Sequence, residues 1–592
     1  MSGRRNIGGD PQDVDPPGTG ESERLPGGLL TVSRSRKQRA ALVLALDGAS
    51  FDVIEPLVKA GRLPNLGRWM RDGYKAPLRS TCPPVTFPAW STFMTGLEPG
   101  RHGIFDFTQK VAGAYRLRFV NASHRHGTSL FGRVSRAGGR VLVLGMPATF
   151  PPEPVSGLLV SGFDAPISVG TDARQASDPD LYRAIAERVG PWMRPDLDEN
   201  AGSSDFHERA VKTLLARIER KTAFALEALR TMRNAASGDR PDLMTIVFSE
   251  SDTVGHHYFR DHDANSPRHD PTASAKRKGA VAAVYEKLDA ACGEIRAAFG
   301  EDALCVVLSD HGMGAAGRHI VHANARLAEC GLLERRKPGL AQRGLSDVAR
   351  SARDLALRTL PPRQLERLFR RARPTAARLE STIRFGGLDW PRSAAFSEEA
   401  NTQPGVWINL RGREAQGSVA PTDYERVRED VIASLLDWKL PGGEAVVARA
   451  RRREDVYTPP FADRAPDVVF ELGLERGYGL SLVATPAPSA GVTPASLRRL
   501  EPHEFGGGRG RGMNGTHRPD GILIVSGEEA EFSARALPRL RDVAPSVLAA
   551  MGLTWSGEDP ADGRILGSPL QDYTPEEDAR VAARLRALGY LE

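Results

Sequence analysis

Short, nearly continuous apolar runs recur along the chain. A run of this kind without polar alternation predicts a strand that is buried on both faces, as in a parallel sheet. Between these runs, residues 206–233 and 279–299 carry apolar side chains at helical spacing. Strands that alternate with helices predict an α/β layered fold with a mostly parallel central sheet. The predicted strands are 41–46, 141–145, 243–248, 304–308 and 522–525.

The pattern also divides the chain into regions. Residues 1–38 are rich in Gly, Pro, Ser, Asp and Arg without a hydrophobic period, which is typical of a disordered tail. Strand and helix patterns fill residues 39–334 and return at 511–592, so we expect these to form two parts of one α/β core. Residues 335–510 are expected to form an inserted cap, with a basic helical segment at 335–385 followed by a small α+β unit.

Charge is nearly balanced over the 592 residues, since 80 Lys and Arg face 74 Asp and Glu and give a net charge of +6. This excess is too weak to imply a nucleic-acid partner. Residues 335–378 are the exception, with twelve Arg and one Lys against three acidic residues. Such a helical segment is either a contact for an anionic surface or a solvated insertion.

Composition excludes several further classes of protein. No apolar run reaches about 18 residues, so no transmembrane helix is predicted. The four cysteines form no C-x-x-C pair, so the sequence predicts neither a disulfide framework nor a cysteine zinc site. No apolar stretch follows the early pair Arg4-Arg5, so the sequence predicts no secretory signal and a cytoplasmic location.

Acidic residues follow three of the predicted strands. Asp47 follows strand 41–46, Asp252 comes soon after strand 243–248, and Asp310 comes soon after the strand ending at Leu308. In open α/β sheets the ligand site lies beyond the carboxyl ends of the strands, so we expect the three carboxylates to share one crevice. Three uncompensated carboxylates would raise one another's pKa, and a bound cation would resolve that conflict.

Histidines complete a set of metal-binding side chains. Asp252 and His256 are separated by four residues, which places both on one face of a helix. His311 directly follows Asp310, and His517 precedes the last predicted strand. Borderline metals such as zinc bind imidazole and carboxylate together. Three Asp and three His suffice for two neighbouring metal ions.

A candidate nucleophile lies in residues 83–92. Thr86 fits the N-cap of a helix, with Pro88 in the first turn. Thr86 is either only a cap or a nucleophile, because a helix N-terminus also stabilises an alkoxide and attracts phosphate. A metal on its hydroxyl would lower the pKa of Thr86 further.

These motifs, in this order, resemble the alkaline phosphatase superfamily in its type I phosphodiesterase/nucleotide pyrophosphatase branch. The chain is similar to bacterial phosphohydrolase/phosphomutase-like proteins over about residues 40–335 and 386–592. The resemblance implies a three-layer sandwich with a mostly parallel central sheet and an inserted cap. The motifs are Asp47-Gly48, Thr86-Phe87-Pro88, Asp252-Thr253-Val254-Gly255-His256, Ser309-Asp310-His311-Gly312-Met313 and Thr516-His517.

The resemblance implies a hydrolase of small phosphoric esters that uses two divalent metal ions, Zn²⁺ first and Mn²⁺ second. Thr86 would attack phosphorus and form a phosphothreonine intermediate, which water would then hydrolyse. Asp252, His256 and His517 are the implied ligands of one metal. The implied ligands of the other are Asp47, Asp310, His311 and the Thr86 oxygen.

Three more residues are candidates for substrate contacts. His319 and His322 follow the Asp310-His311 motif ahead of a predicted helix, and Arg518 follows His517. These side chains either touch an anionic substrate or belong to a loop and the surface.

The sequence is also compatible with other functions. Nucleotide pyrophosphatases carry an Asn a few residues after His-Gly-Ile that contacts a phosphoryl oxygen, whereas residues 105–107 here read Phe-Asp-Phe. A phosphomutase or phosphomonoesterase would use the same site, and a sulfatase or phosphonate hydrolase would act on other esters. The non-enzyme alternative is a metal-stabilised protein that binds anionic lipid or polymer through residues 335–378.

Overall fold

A seven-stranded sheet and three smaller sheets make up the β-structure of the described residues. The computed structural model describes residues 40–165, 173–192, 206–235, 239–336, 381, 384–486, 494–505, 513–527, 537–554 and 573–587. The strands are β1 Ala41–Leu46, β2 Tyr74–Arg79, β3 Thr108–Lys110, β4 Leu117–Phe119, β5 Val141–Met146, β6 Gly157–Ser161, β7 Leu243–Phe248, β8 Leu304–Leu308, β9 Gly312–Val321, β10 Ala395–Phe396, β11 Gly405–Ile408, β12 Val447–Arg452, β13 Val468–Leu472, β14 Leu474–Glu475, β15 Tyr478–Leu482, β16 Leu497–Arg499, β17 Gly515–Arg518 and β18 Asp520–Ser526. The helices are α1 Phe51–Lys59, α2 Pro64–Asp72, α3 Thr86–Thr95, α4 Pro99–His102, α5 Leu130–Arg136, α6 Pro179–Val189, α7 Phe206–Ala235, α8 Glu250–His262, α9 Ala275–Lys278, α10 Ala280–Phe299, α11 Ala323–Glu329, α12 Tyr424–Leu436, α13 Val543–Ala550 and α14 Pro575–Ala587.

The large sheet has the strand order β2-β18-β8-β1-β7-β5-β6. Neighbouring strands from β8 to β6 are parallel, and β18 runs antiparallel to both β2 and β8. All strands except β18 therefore share one direction. The predicted α/β fold with a mostly parallel central sheet is confirmed.

Helices cover both faces of this sheet. Leu42 and Leu44 of β1 pack in a cluster with residues of α7 and α10, whereas Ala41 and Val43 pack in a second cluster with residues of α3 and α13. Successive side chains of a strand point to opposite faces, so these two clusters form the two outer interfaces of a three-layer sandwich. β1 has no polar alternation because both of its faces are covered, and each fully buried Leu contributes roughly 1.5–3 kcal/mol.

One of the smaller sheets is built around the long strand β9. A five-stranded sheet has the path β14-β15-β9-β16, and β17 pairs antiparallel with β9. A four-stranded sheet, β10-β11-β13-β12, packs against α12. Strands of the expected cap, residues 335–510, thus complete a sheet with β9 of the core. The boundaries of the cap remain a prediction.

The two predicted long helices lie within the described residues, whereas the predicted tail and most of the basic segment do not. The helices predicted at 206–233 and 279–299 are present as α7 and α10. Most of the basic segment and the tail 1–38 lie outside the described residues, so their predicted structure stays a prediction. Within the described part of the chain, no helix combines the length and apolar character needed to cross a membrane.

Candidate active site

The carboxyl ends of β1, β7 and β8 bring the candidate metal ligands together. β1 lies between β7 and β8 and is parallel to both, so the segments that follow these three strands meet at one edge of the sheet. Asp47 directly follows β1, Asp310 follows β8 by two residues, and Asp252 lies in the first turn of α8 after β7. All three side chains are almost completely buried.

Asp252, His256 and His517 form the first ligand group. The Nε2 atom of His256 lies 3.3 Å from Asp252 Oδ1, and that of His517 lies 3.5 Å from the same oxygen. The two Nε2 atoms are 3.0 Å apart. Because α8 places Asp252 and His256 one turn apart and β17 brings in His517, one oxygen and two ring nitrogens converge on a single point.

Asp47, Asp310 and His311 form the second ligand group. His311 Nε2 lies 3.6 Å from Asp47 Oδ1 and 3.5 Å from Asp310 Oδ2. The rings of His311 and His517 stack with centroids 3.7 Å apart, so the two groups are adjacent. Each group has the size and donor set of a metal site.

The three histidines are oriented in the same way. In each ring, Nδ1 contacts a backbone carbonyl, which can only accept a hydrogen bond, so Nδ1 carries the proton and Nε2 keeps its lone pair. The contacts are His256 Nδ1 to Gly515 O at 3.0 Å, His517 Nδ1 to Pro84 O at 2.9 Å and His311 Nδ1 to Gly312 O at 3.0 Å. Carbonyl anchoring of this kind is how proteins orient histidines toward a metal.

Buried ligand atoms without hydrogen bonds test whether the residues fit a cation. Among the described residues, Asp47 Oδ1, Asp310 Oδ2 and His311 Nε2 have no hydrogen-bond partner, although all three atoms are buried. A buried polar atom without a partner costs about 1–3 kcal/mol. Three such atoms of ligand type facing one another fit a divalent cation.

The electrostatics of the site lead to the same conclusion. Burial, with repulsion from Asp310 and Asp252, raises the pKa of Asp47, and burial raises the pKa of Asp310 to about 8. Burial also opposes ionisation of Asp252, but attraction to His256 and His517 outweighs it and lowers the pKa of Asp252. The attraction of Asp252 likewise overcomes burial at His256 and raises the pKa of that ring. In the metal-free protein, protons on these carboxylates thus offset part of the negative charge that a bound metal ion would offset instead.

Thr86 is the first residue of α3, a helix whose residues are all buried. Val85 precedes it in an extended conformation and makes no side-chain capping bond. The expectation that Thr86 is the N-cap is therefore wrong by one position, because Val85 already occupies the extended cap conformation. The Thr86 side chain lies at the helix end where free N–H groups favour an anion. His517, through its bond to Pro84, ties the first ligand group to this segment.

The sequence profile of the family described as type I phosphodiesterase / nucleotide pyrophosphatase matches residues 41–478, well over half of the chain. The chain belongs to this family. Type I phosphodiesterases are phosphoric ester hydrolases of the alkaline phosphatase superfamily and are typically dependent on divalent metals. The predicted family and enzyme class are confirmed, and the two ligand groups agree with metal dependence.

Solved structures to which the chain is similar include phosphonoacetate hydrolase from Sinorhizobium meliloti 1021. Identity is 16%, the TM-score is 0.45, and the match covers 88% of this chain and 99% of that chain. Human ectonucleotide pyrophosphatase/phosphodiesterase 5 is 12% identical with a TM-score of 0.42, over 88% of this chain and 97% of that chain. No curated protein matches the chain.

The structure does not bring His319 and His322 to the ligand groups. His319 lies seven residues after Gly312 along β9, and its Nδ1 contacts Glu475 Oε1 at 2.9 Å. His322 follows β9, is buried, and its Nδ1 contacts a backbone carbonyl at 2.9 Å. Arg518 adjoins His517, but its Nη2 donates to the carbonyls of Ala315 and Gly477. A substrate contact of these residues remains a prediction.

Sequence reasoning missed several residues that support the ligands. Trp90 Nε1 donates to Asp47 Oδ2 at 3.2 Å, and Ser251 Oγ donates to the Asp47 carbonyl at 2.6 Å. The backbone N–H of Gly48 donates to Asp310 Oδ1 at 3.1 Å. Only Trp90 had a usable signal, because it lies one helical turn after Thr86 and on the same face of the helix.

The Gly48→Ala substitution is expected to weaken metal binding. Gly48 has φ +65°, and an added Cβ would lie 2.9 Å from Asp252 Oδ1 and 3.2 Å from the Asp252 Cα. The matched control is Gly61→Ala, because Gly61 has φ +71° and nothing within 4 Å of the added carbon. Both variants should lose about 1–2 kcal/mol of stability through the positive φ. Only Gly48→Ala should also lose Zn²⁺ affinity in calorimetric titration, and equal affinities in the two variants would contradict the steric argument.

Metal binding near pH 7 is expected to release protons. Asp310, with a pKa of about 8, holds a proton at that pH in the metal-free protein. Ligand atoms must lose their protons when a metal binds. The apparent affinity for Zn²⁺ should therefore rise as the pH rises from about 6 to about 8. Calorimetric titration in two buffers with different heats of ionisation counts the released protons, and a count of zero would contradict the assignment.

Proposed function

We propose that this protein is a two-metal-dependent phosphoric ester hydrolase that acts through a covalent phosphothreonine at Thr86. The observation that carries the proposal is the convergence of three histidine Nε2 atoms and three carboxylates on two adjacent points. His517 ties this cluster to the segment that begins α3, and Thr86 is the first residue of that helix. The pattern is that of a catalytic centre rather than a structural ion site.

The donor set favours zinc over manganese. Each ligand group supplies imidazole nitrogen together with carboxylate oxygen, a mixture that zinc accepts readily, whereas manganese prefers oxygen ligands. The first ion would be held by Asp252, His256 and His517, and the second by the remaining group with the Thr86 oxygen. When bound, two such ions lower the pKa of a hydroxyl or water and neutralise the oxygens of a phosphoryl group.

The chain's own residues position the reacting groups. In the proposed first step the Thr86 oxygen forms a bond to phosphorus, its proton leaves to solvent, and the bond from phosphorus to the leaving oxygen breaks. The N-terminus of α3 stabilises negative charge on the transferred group. In the second step water adds to phosphorus on the open side and the bond to Thr86 breaks, which regenerates the hydroxyl. His517 is the most exposed of the ligands, at 13% of its side chain, and marks that open side.

A phosphomonoesterase is the second candidate, and the stretch 105–107, which reads Phe-Asp-Phe without an Asn, favours it. In nucleotide pyrophosphatases, which this chain resembles, an Asn in this stretch contacts a phosphoryl oxygen. Phe107 is buried here, with its ring 4.4 Å from that of Phe87 and 6.3 Å from that of Phe163. This position therefore packs the core and donates no hydrogen bond to substrate. Small phosphate esters remain the proposed substrates, and a cytoplasmic location remains a proposal from the sequence.

Replacement of the nucleophile is expected to abolish turnover. Thr86→Ala should lower the hydrolysis rate by a factor on the order of 10³ or more, since a covalent route loses its attacking atom. Initial rates on bis-p-nitrophenyl phosphate and p-nitrophenyl phosphate, with Zn²⁺ or Mn²⁺, give this result and the ester preference. A preference for the diester supports a phosphodiesterase, and a preference for the monoester supports the second candidate.

Thr95→Ala is the matched control, because Thr95 is a buried threonine of the same helix whose hydroxyl donates to the Ser91 carbonyl. It should retain activity. Acid-quenched wild-type protein should carry one phosphoryl group on Thr86 by mass spectrometry. A Thr86→Ala variant as active as wild type would overturn the covalent mechanism.

Loss of one histidine ligand is expected to remove one metal ion. His517→Ala should lower the metal content from two ions to one and reduce activity in parallel, because the second group keeps its three ligands. The loss of affinity should exceed the roughly 10- to 100-fold that follows when only a supporting contact is lost. Metal analysis after dialysis measures the content, with exposed His503 replaced by Ala as the control. Unchanged metal content and activity in His517→Ala would contradict the ligand assignment.

A further inference from the structure

A buried hydrogen bond joins the candidate nucleophile helix to the second ligand group. Trp90 lies one turn after Thr86 in α3 and is fully buried. Its indole nitrogen can only donate, and Nε1–H donates to Asp47 Oδ2 at 3.2 Å. The ring also packs edge-on against Phe93, with centroids 5.7 Å apart, so its orientation is fixed by packing.

The hydrogen bond from Trp90 makes the two carboxylate oxygens of Asp47 inequivalent. Oδ2 is held by Trp90, whereas Oδ1 has no hydrogen-bond partner among the described residues and lies 3.6 Å from His311 Nε2. A carboxylate anchored through one oxygen cannot rotate freely about its terminal bond. The second oxygen is therefore directed toward the point where Asp310 and His311 also converge.

The main chain of Asp47 is held independently. Its carbonyl accepts a hydrogen bond from Ser251 Oγ at 2.6 Å, and its N–H donates to the Phe248 carbonyl at 2.9 Å. Backbone contacts therefore fix where Asp47 lies. The hydrogen bond from Trp90 additionally fixes how the Asp47 carboxylate is oriented. It also ties that orientation to the position of α3.

We infer that Trp90 is a positioning residue, which orients Asp47 for metal binding and keeps the second ligand group in register with Thr86. The inference rests on the proposed function, since it assigns to Asp47 the role of a metal ligand. Trp90 does not touch the reacting atoms. It acts through Asp47, so its loss should change metal affinity and turnover beyond what a change in core packing causes.

The first test compares Trp90→Phe with Trp69→Phe. Trp69 is also a buried tryptophan, and its indole nitrogen has no hydrogen-bond partner among the described residues. Both variants lose the same atoms from the core and should be destabilised to a similar degree. Trp90→Phe should additionally weaken one of the two Zn²⁺ sites by roughly 10- to 100-fold in chelator competition. The value of kcat should fall with it, while Trp69→Phe should bind and turn over like wild type.

A second measurement does not require Trp90→Phe to fold. The protein has seven tryptophans, which can be labelled with 5-fluorotryptophan and assigned by elimination from Trp→Phe variants at the other six positions. Addition of Zn²⁺ to metal-free protein should shift the Trp90 fluorine signal, because the charge on its acceptor changes. The Trp69 signal should stay in place.

The outcomes separate this inference from the proposed function. If wild type binds two ions and turns over, but Trp90→Phe matches Trp69→Phe in affinity and kcat, Trp90 is only a packing residue and the inference fails alone. An unmoved Trp90 signal on metal binding would overturn it as well. A wild-type protein that binds no divalent metal would overturn both.

Discussion

Three buried carboxylates at neighbouring strand ends are the constraint on which the site depends. Asp47, Asp252 and Asp310 are forced together because β1 runs parallel between β7 and β8. Their charges cannot remain uncompensated in a medium of low dielectric constant. The Lys221 ammonium is also buried close to this edge, but Glu250 pairs with it at 2.9 Å, so its charge is already balanced. A cation bound between the carboxylates resolves this repulsion, and family membership agrees with such a cation.

The five-stranded sheet around β9 brings a further ligand to these carboxylates. β9 begins directly after His311, and β17 pairs with it antiparallel so that His517 lies opposite Met313. A histidine more than two hundred residues away in sequence is thereby delivered to the strand ends. The carbonyl of Gly515, on the same strand β17, orients His256. The pairing of β9 with β17 thus places one ligand and aligns another. β15 and β16 of the expected cap region pair with the same strand β9.

Much of this arrangement could be predicted from sequence because the signals are local. Continuous apolar runs that end in Asp identify buried parallel strands, and the four-residue spacing in α8 gives a shared helix face. The places of His319 and His322 could not be derived, because they follow His311 closely in sequence but lie along and just after β9, outside the two ligand groups. The contacts of Trp90 and Gly48 could not be derived, since each depends on packing between segments far apart in the chain.

The burial of Phe107 changes how charge must be stabilised in the proposed reaction. The phenyl ring of Phe107 packs against Phe87 and Phe163 and has no group that donates a hydrogen bond. In the proposed reaction that stabilisation would instead come from the metal ions and the N-terminus of α3. The metal ions and the N-terminus of α3 can stabilise the same phosphoryl group only if the distance between them is held constant. The Trp90–Asp47 bond runs between them through the core. A site with fewer separate contacts to substrate therefore depends more on the rigidity of that connection.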